Sequence, residues 1–393
     1  MAHSFTNRLG MPIALSLGVL LASTTFLMAQ SAFDAPAPFT GMVRFSGAKG
    51  APIYSGAEVS AAGMGFAPNQ SVTILRGNQR LSPDTLKADA EGKFNFDFAL
   101  PADAAVGIHP IVVQTDAPDS ADVVDLKVSP KIALSGAEKF DITTKKVGRG
   151  LYQVAYSEKN KVLFVAAAVG RPPIAESKLY KLDPATLDTL AEVSPAPAPK
   201  EGDRDPGVYA VYGVGVDDAH DAVWVTNTRQ NTIAVYSQKD LTLIKQFDVD
   251  AVPHPRDVVV DAANGKAYVS SAMNDQVFVF DTKTLEVLPS IALKSAQRGG
   301  KFSAMSLALD AKAGKLYTVS MSTPEAARID LATGAAEILK VPGSTSGSGV
   351  AIDPTTGRLF VASQGSDDLI AVDTVKNELA FDTPVGAGAL NAA

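Results

Sequence analysis

The 393-residue chain has no cysteine, one tryptophan and four histidines, His3, His109, His220 and His254. Without thiols there is no disulfide scaffold, thiolate metal site, iron–sulfur cluster, covalently attached c-type haem or cysteine nucleophile. Four scattered histidines supply clustered metal chemistry poorly, and quinone- or haem-dependent chemistry would want more tryptophan or axial histidine. No cofactor is expected. An excess of positive charge is also missing: 42 acidic side chains outnumber 35 basic ones, for a net charge of −7. Wholesale electrostatic attachment to nucleic acid or anionic membrane is therefore not predicted. What is present is 46% hydrophobic residues with 31 glycines and 24 prolines, the composition of a folded β-rich chain of about two domains.

One long apolar run occurs, at the start. Met1–Arg8 carry a single charge, Leu9–Ala29 carry none, and Ala29 and Ser31 place small residues ahead of a cut after Ser31. This is the layout of a secretory signal peptide over 1–31. A run of about twenty uncharged residues could instead be an uncleaved anchor, but Pro12 and the serines and threonines favour the signal. The mature chain is expected to be periplasmic or secreted, with no stable membrane insertion after cleavage.

Residues 33–135 read as short strands separated by turn signals. Val72–Leu75, Phe94–Leu100 and Ile108–Gln114 alternate or run apolar, with APNQ, DAEGK and LPADAAVG between them. Such spacing suggests a β-sandwich. The runs GMGFAPNQSVTI, DAEGKFNFDFALP and GIHPIVVQ resemble the small Ig-like modules of bacterial exported proteins, which implies a spacer or adhesion role and no chemistry.

From Phe140 to the end, residues 140–393, the chain repeats itself. YSEKNKVLFVA, VDDAHDAVWVT, VDAANGKAYVS, LDAKAGKLYTV and IDPTTGRLFVA align, so that Ser157, Asp217, Asp261, Asp310 and Asp353 recur at about 43–60-residue intervals. KLDPATLD, VYSQKDLT, VFDTKTLE, RIDLATGA and AVDTVKNE follow in step. Four strands per repeat of this length is the pattern of a β-propeller blade. The recurring Asp or Ser is first a turn former, bonding backbone N–H groups while Gly265, Gly314 or Gly357 supplies a positive φ. The expected fold is all-β: an Ig-like sandwich, then a propeller of five complete repeats and the start of a sixth. The next turn residue falls due just past Ala393, so the propeller reads as incomplete.

KKVGRGLYQVAYSEKNKVLFVAAAV and SKLYKLDPATLDTL, followed in order by AVWVTNTRQNTIAVYS, PHPRDVVVDAANGKAYVSSA and KFSAMSLALDAKAGKLYT, resemble the YncE-type periplasmic propellers over essentially all of 140–393. The resemblance implies a seven-bladed fold, an exported location, no established catalysis, and single-stranded DNA binding.

Ligands of propellers usually meet the face built by blade-to-blade loops and by loops joining second to third strands. Here those loops hold Lys145, Lys146, Arg149, Tyr152, Arg204, Tyr212, His254 and Arg256, then Lys294, Arg298, Lys301 and Phe302, with Arg171, Arg229 and Asn274 on the inner loops. A local basic rim on an acidic protein can hold phosphate backbones, and Tyr152, Tyr212 and Phe302 could stack unpaired bases. The site residues expected to bind ligand are thus Arg149, Tyr152, Arg171, Tyr212, Arg229, His254, Arg256, Lys294, Arg298, Lys301 and Phe302. Their plain alternative is solubility for the cations and inter-blade packing for the rings. The leading function is non-enzymatic binding of an anionic polymer, single-stranded DNA among them. Two alternatives are an adhesive envelope protein that grips another protein and a lactonase-type hydrolase. The hydrolase would draw on Gln153, Asp257, Ser306, Ser348 and Asn391, with no metal site expected. His220 beside Asp217, Asp218 and Asp221 sits on the opposite face, and Trp224 reads as inter-blade core.

Overall fold

Each repeat is set by its turn. Asp217 Oδ1 accepts hydrogen bonds from the N–H groups of Ala219 and His220 at 3.1 and 3.2 Å, and Asp353 Oδ1 accepts from Thr355 at 2.8 Å. Ser157 Oγ accepts from Asn160 N–H at 3.0 Å, the same job done by a hydroxyl. Four residues after the turn former the backbone is left-handed. Gly265, Gly314 and Gly357 take that position at φ +60°, +63° and +67°, while Lys161 and Asp221 adopt it at +52° and +51°. Only glycine does so without a Cβ penalty.

In this computed structural model the described residues are 35, 37–133, 135–200, 202–203 and 205–392. The expected signal peptide and Arg204 lie outside them. The described residues contain no α-helix; three short 3-10 turns accompany the strands. Five consecutive four-stranded antiparallel sheets follow one another, each built strand by strand in chain order. The second is typical: Val211–Asp217, Ala222–Asn227, Thr232–Ser237 and Leu243–Gln246. The innermost strands of the five blades are Leu151–Ser157, Val211–Asp217, Pro255–Asp261, Ala304–Asp310 and Gly347–Asp353.

Core side chains lie between the blades. Phe164, Val211 and Tyr236 fill the space between the first two, and Trp224, Phe247 and Phe280 that between the second and third. Tyr268, Phe302 and Leu316 join the third to the fourth, while Val319, Leu359 and Val361 join the fourth to the fifth. Trp224, Phe164 and Tyr268 are buried at equivalent strand positions, as the alignment of the repeats requires. A sheet hydrophobic on both faces is stable only when both are covered. The first blade departs from this on its outer side, where Leu151, Val154 and Tyr156 are exposed.

Ahead of the blades, two sheets enclose a separate core. Met42–Ser46, Glu58–Met64 and Phe94–Ala99 form one; Gln79–Arg80, Val72–Arg76, Gly107–Thr115 and Ser120–Val128 form the other. Val59, Ile74, Phe94, Ile111 and Val113 pack between them.

A charged contact joins the two units. Lys127 Nζ, on the sandwich, lies 2.7 Å from Asp367 Oδ1, in the fifth blade, and donates to the Gln364 carbonyl at 2.8 Å. Asp367 also accepts from Gly388 N–H at 2.7 Å, so one buried carboxylate gathers sandwich, blade and C-terminal segment. Burial pushes its carboxyl up, but the Lys127 ammonium and the surrounding donors outweigh this and hold it below the ordinary carboxylate value. Its stabilising contribution is therefore present above pH ~4 and is lost as pH falls through the lowered folded-state value. Asp367→Asn should cost about 2 kcal/mol near neutrality. Calorimetry across pH should show the gap to wild type closing in acid.

Candidate functional site

All five innermost strands carry an irregularity near their starts. The register with the second strand shifts between Leu151 and Gln153, Val211 and Val214, Pro255 and Val258, Ala304 and Leu307, and Gly347 and Gly349. A bulge re-aims the side chains it contains. Tyr152, Tyr212, Arg256, Met305 and Ser348 take its first position, each five residues ahead of its turn former. The antiparallel path puts this end of every blade beside the blade-to-blade loops, away from the Asp turns.

The first three of these residues build a ladder. Arg229, exposed on the loop after Ala222–Asn227, lies with its guanidinium carbon 5.7 Å from the Tyr212 ring centre and donates through Nε to the Tyr212 hydroxyl at 3.3 Å. Tyr212 meets Tyr152 edge to face, with ring centres 4.8 Å apart. The Arg256 guanidinium then stacks on Tyr152 at 4.6 Å. Cations over ring faces are attracted by the ring quadrupole, more so when desolvated. Arg256 is only 4% exposed, and its Nε, Nη1 and Nη2 have no hydrogen-bond partner among the described residues. Burying an ion without a hydrogen-bonded partner costs several kcal/mol, so this residue is held against its own solvation.

His254 completes the cluster, at φ +44° and with its backbone N–H bonded to Asn231 Oδ1 at 2.9 Å. Burial first, then the charges of Arg229 and Arg256, push its imidazole below the ordinary histidine value. At neutral pH it is an uncharged ring with an acceptor nitrogen.

Beneath the ladder lies a polar belt. Asp257 accepts from Gln153 Nε2 at 2.8 Å, from its neighbour Val258 N–H at 2.8 Å and from Leu307 N–H at 2.9 Å. Gln153 Oε1 in turn accepts from Val214 N–H at 3.2 Å. These bonds run from the first blade to the second and third, and from the third to the fourth. Full burial pushes the Asp257 carboxyl above its ordinary value, although the three donors and the Arg256 charge oppose that. Gln153, Asp257, Ser306 and Asn391 also line a 470 Å³ cavity whose other wall includes Val154 and Val165 of the first blade.

The structure thus gathers Tyr152, Tyr212, Arg229, His254 and Arg256 into one cluster. Lys294, Arg298 and Lys301 are exposed on the loop before Ala304–Asp310, and Arg171 on the loop after Val162–Val169. None of these four forms an ion pair, or a cation–π contact with the cluster, among the described residues. Arg149 stands apart and pairs with Glu176 at 3.5 Å. Phe302 corrects the sequence expectation. It is 1% exposed and packs in the core between the third and fourth blades, because its alternation with the exposed Lys301 turns it inward. On the opposite face, Asp217 is bonded to His220, Asp218 to Ser157 and Gln238, and Asp221 to Lys159 and Asn160. Those carboxylates tie turns and neighbouring blades together.

The sequence comparisons bear on this arrangement. No family profile matches the chain. Two curated relatives, both carrying the description "Uncharacterized protein YncE", come from Salmonella typhi and Escherichia coli O157:H7. The first is 27% identical over 189 residues, covering 46% of this chain and 48% of the relative. The second is 25% identical over 262 residues, covering 63% and 68%. The chain spans about half the length of the first relative it matches. Among solved structures, a nidogen/laminin complex aligns with a TM-score of 0.47 at 13% identity, over 71% of this chain and 92% of that one. Virginiamycin B lyase from Staphylococcus aureus aligns with a TM-score of 0.46 at 14% identity, over 60% and 70%. Such slight likenesses do not bear on function. The repeated four-stranded blades make this chain a β-propeller protein. Its repeats are similar in sequence to the YncE relatives.

Asp257→Asn should cost about 2–3 kcal/mol, because an amide N–H₂ then faces a bound donor. Urea unfolding measures it. The raised carboxyl adds most stability below pH ~4 and loses it as pH climbs through the folded-state value. The gap between wild type and variant should therefore shrink as pH rises, the reverse of Asp367.

Proposed function

We propose that this protein is an exported, non-enzymatic binding propeller whose loop-end face takes an anionic polymer, single-stranded DNA being the best fit. The observation that carries this reading is the convergence of Arg229, Tyr212, Tyr152 and Arg256, two adjacent aromatic rings flanked by two guanidiniums in an otherwise acidic protein. Cations attract the phosphate backbone, and rings supply sequence-tolerant stacking worth about 1–3 kcal/mol per base. Lys294, Arg298, Lys301 and Arg171 extend the positive surface along loops at the same end of the blades.

The geometry gives less support to catalysis. A histidine general base needs a partner that orients it, and the charged neighbours of His254 are both cations. Among the described residues, Ser348 Oγ is buried without a partner, and Ser306 has no histidine in hydrogen-bond contact. The electrostatic fit is local, so binding should be strongly salt-dependent.

Filter retention of a labelled oligothymidine by the full chain tests the reading. Binding should weaken with salt at a logarithmic slope of about −0.7 for each phosphate neutralised. Arg229→Glu combined with Lys294→Glu and Arg298→Glu should weaken it more than ~10-fold at low salt. No retention at any salt, or no effect of reversing these exposed charges, overturns the proposal.

A further inference from the structure

The buried guanidinium asks for more than a polymer-binding face explains. Arg229 lies in solvent and can meet any phosphate that passes along the rim. Arg256 lies one aromatic layer deeper, and each of its three side-chain nitrogens is closed off from solvent and lacks an acceptor among the described residues. The adjoining carboxylate in the chain, Asp257, is already committed to Gln153, Val258 and Leu307. The Arg256 fork is thus an anion receptor with every donor unused, in a place where charge-assisted bonds are strong.

What covers it is a side chain that can turn aside. Tyr152 is half-buried on the first blade's innermost strand, next to exposed Leu151 and Val154. Its hydroxyl makes no hydrogen bond among the described residues, and its half-buried ring meets Tyr212 and Arg256 at the edge of a small cluster with Ala168, Ile174 and Ala210. Tyr212, by contrast, is pinned through its hydroxyl to Arg229. Rotating Tyr152 about its side-chain bonds would uncover the fork.

Depth selects the ligand. A phosphodiester inside a strand carries a sugar on either side and is held at the level of Arg229. A compact group at the end of a molecule has no such obstruction. A guanidinium fork matches phosphate geometry with two parallel N–H···O bonds, and a monoester carries a second negative charge that a diester lacks. We propose that Arg256 is the receptor of a terminal phosphate monoester, admitted past Tyr152, so that the protein binds phosphorylated ends in preference to strand interiors. This rests on the anion-binding reading of the same face and narrows it to a ligand end.

The test uses the full chain and two probes. Inorganic phosphate should raise the melting temperature of wild type relative to chloride at equal ionic strength. An oligothymidine with a 5′- or 3′-phosphate should bind about tenfold tighter than its hydroxyl-ended counterpart, the scale of one charge-assisted pair. Arg256→Met removes an unpaired buried charge while keeping much of the side-chain bulk. It should therefore be at least as stable as wild type, yet lose both the phosphate shift and the end preference. Arg256→Lys, which keeps the charge without the planar fork, is the second variant and should lose most of the preference. Equal affinity for both strand ends, or a preference unchanged by both substitutions, overturns the inference and leaves the rim reading standing. A phosphate shift that depends on Arg256 while neither strand binds supports the receptor and overturns the polymer. Loss of stability in Arg256→Met with an unchanged phosphate shift would make Arg256 structural and overturn the inference.

Discussion

Four of the five blades meet in one hydrogen-bonded pair. Gln153 accepts from the second blade and donates to Asp257 of the third, and Asp257 accepts from the fourth. The apolar faces between blades fix no register by themselves, because hydrophobic contact is non-directional. Directional bonds near the axis supply what those faces lack. They also set the height at which the innermost strands stand relative to one another, and hence which side chains come together above them.

The bulges turn that alignment into a site. A regular innermost strand would carry an unbroken ladder with the second strand, and its side chains would alternate between the two blade faces. The extra residue in each strand breaks the alternation at one end and aims Tyr152, Tyr212 and Arg256 at one another. The arrangement has a cost, because the buried Arg256 guanidinium has no hydrogen-bonded partner among the described residues. Residues that oppose stability in this way concentrate where function needs them. The opposite face shows the contrast, with its carboxylates bonded to backbone turns and to the adjoining blade.

Much of this was legible in the repeat. Aligning Ser157 with Asp217, Asp261, Asp310 and Asp353 locates the turns, the strands and the buried aromatic at Phe164, Trp224 and Tyr268. The same alignment carries the bulge residues five positions earlier, as the tripeptides Tyr152-Gln153-Val154, Tyr212-Gly213-Val214 and Arg256-Asp257-Val258. That signal could have found the ladder directly, since a polar or aromatic residue recurs where a strand should be apolar. Phe302 was misplaced because a ring beside cations looks the same in sequence whether it faces the rim or the core. The Lys127–Asp367 contact was invisible, because nothing local to either residue names a partner some 240 positions away.

The sequence by itself determined the all-β class, the blade repeat, the turn chemistry and the pool of basic and aromatic residues at one end of the blades. Those properties depend on residues close together in the chain, where spacing alone fixes which groups can meet. Only the tertiary structure decided that Arg229, Tyr212, Tyr152 and Arg256 form one stack, that Arg149 stands apart with Glu176, and that Arg256 is enclosed. Each of those facts depends on how separate blades are rotated and stacked against one another. That geometry is set by the summed packing of their faces and by the hydrogen bonds between blades, the Gln153–Asp257 pair among them, and no short stretch of sequence contains it.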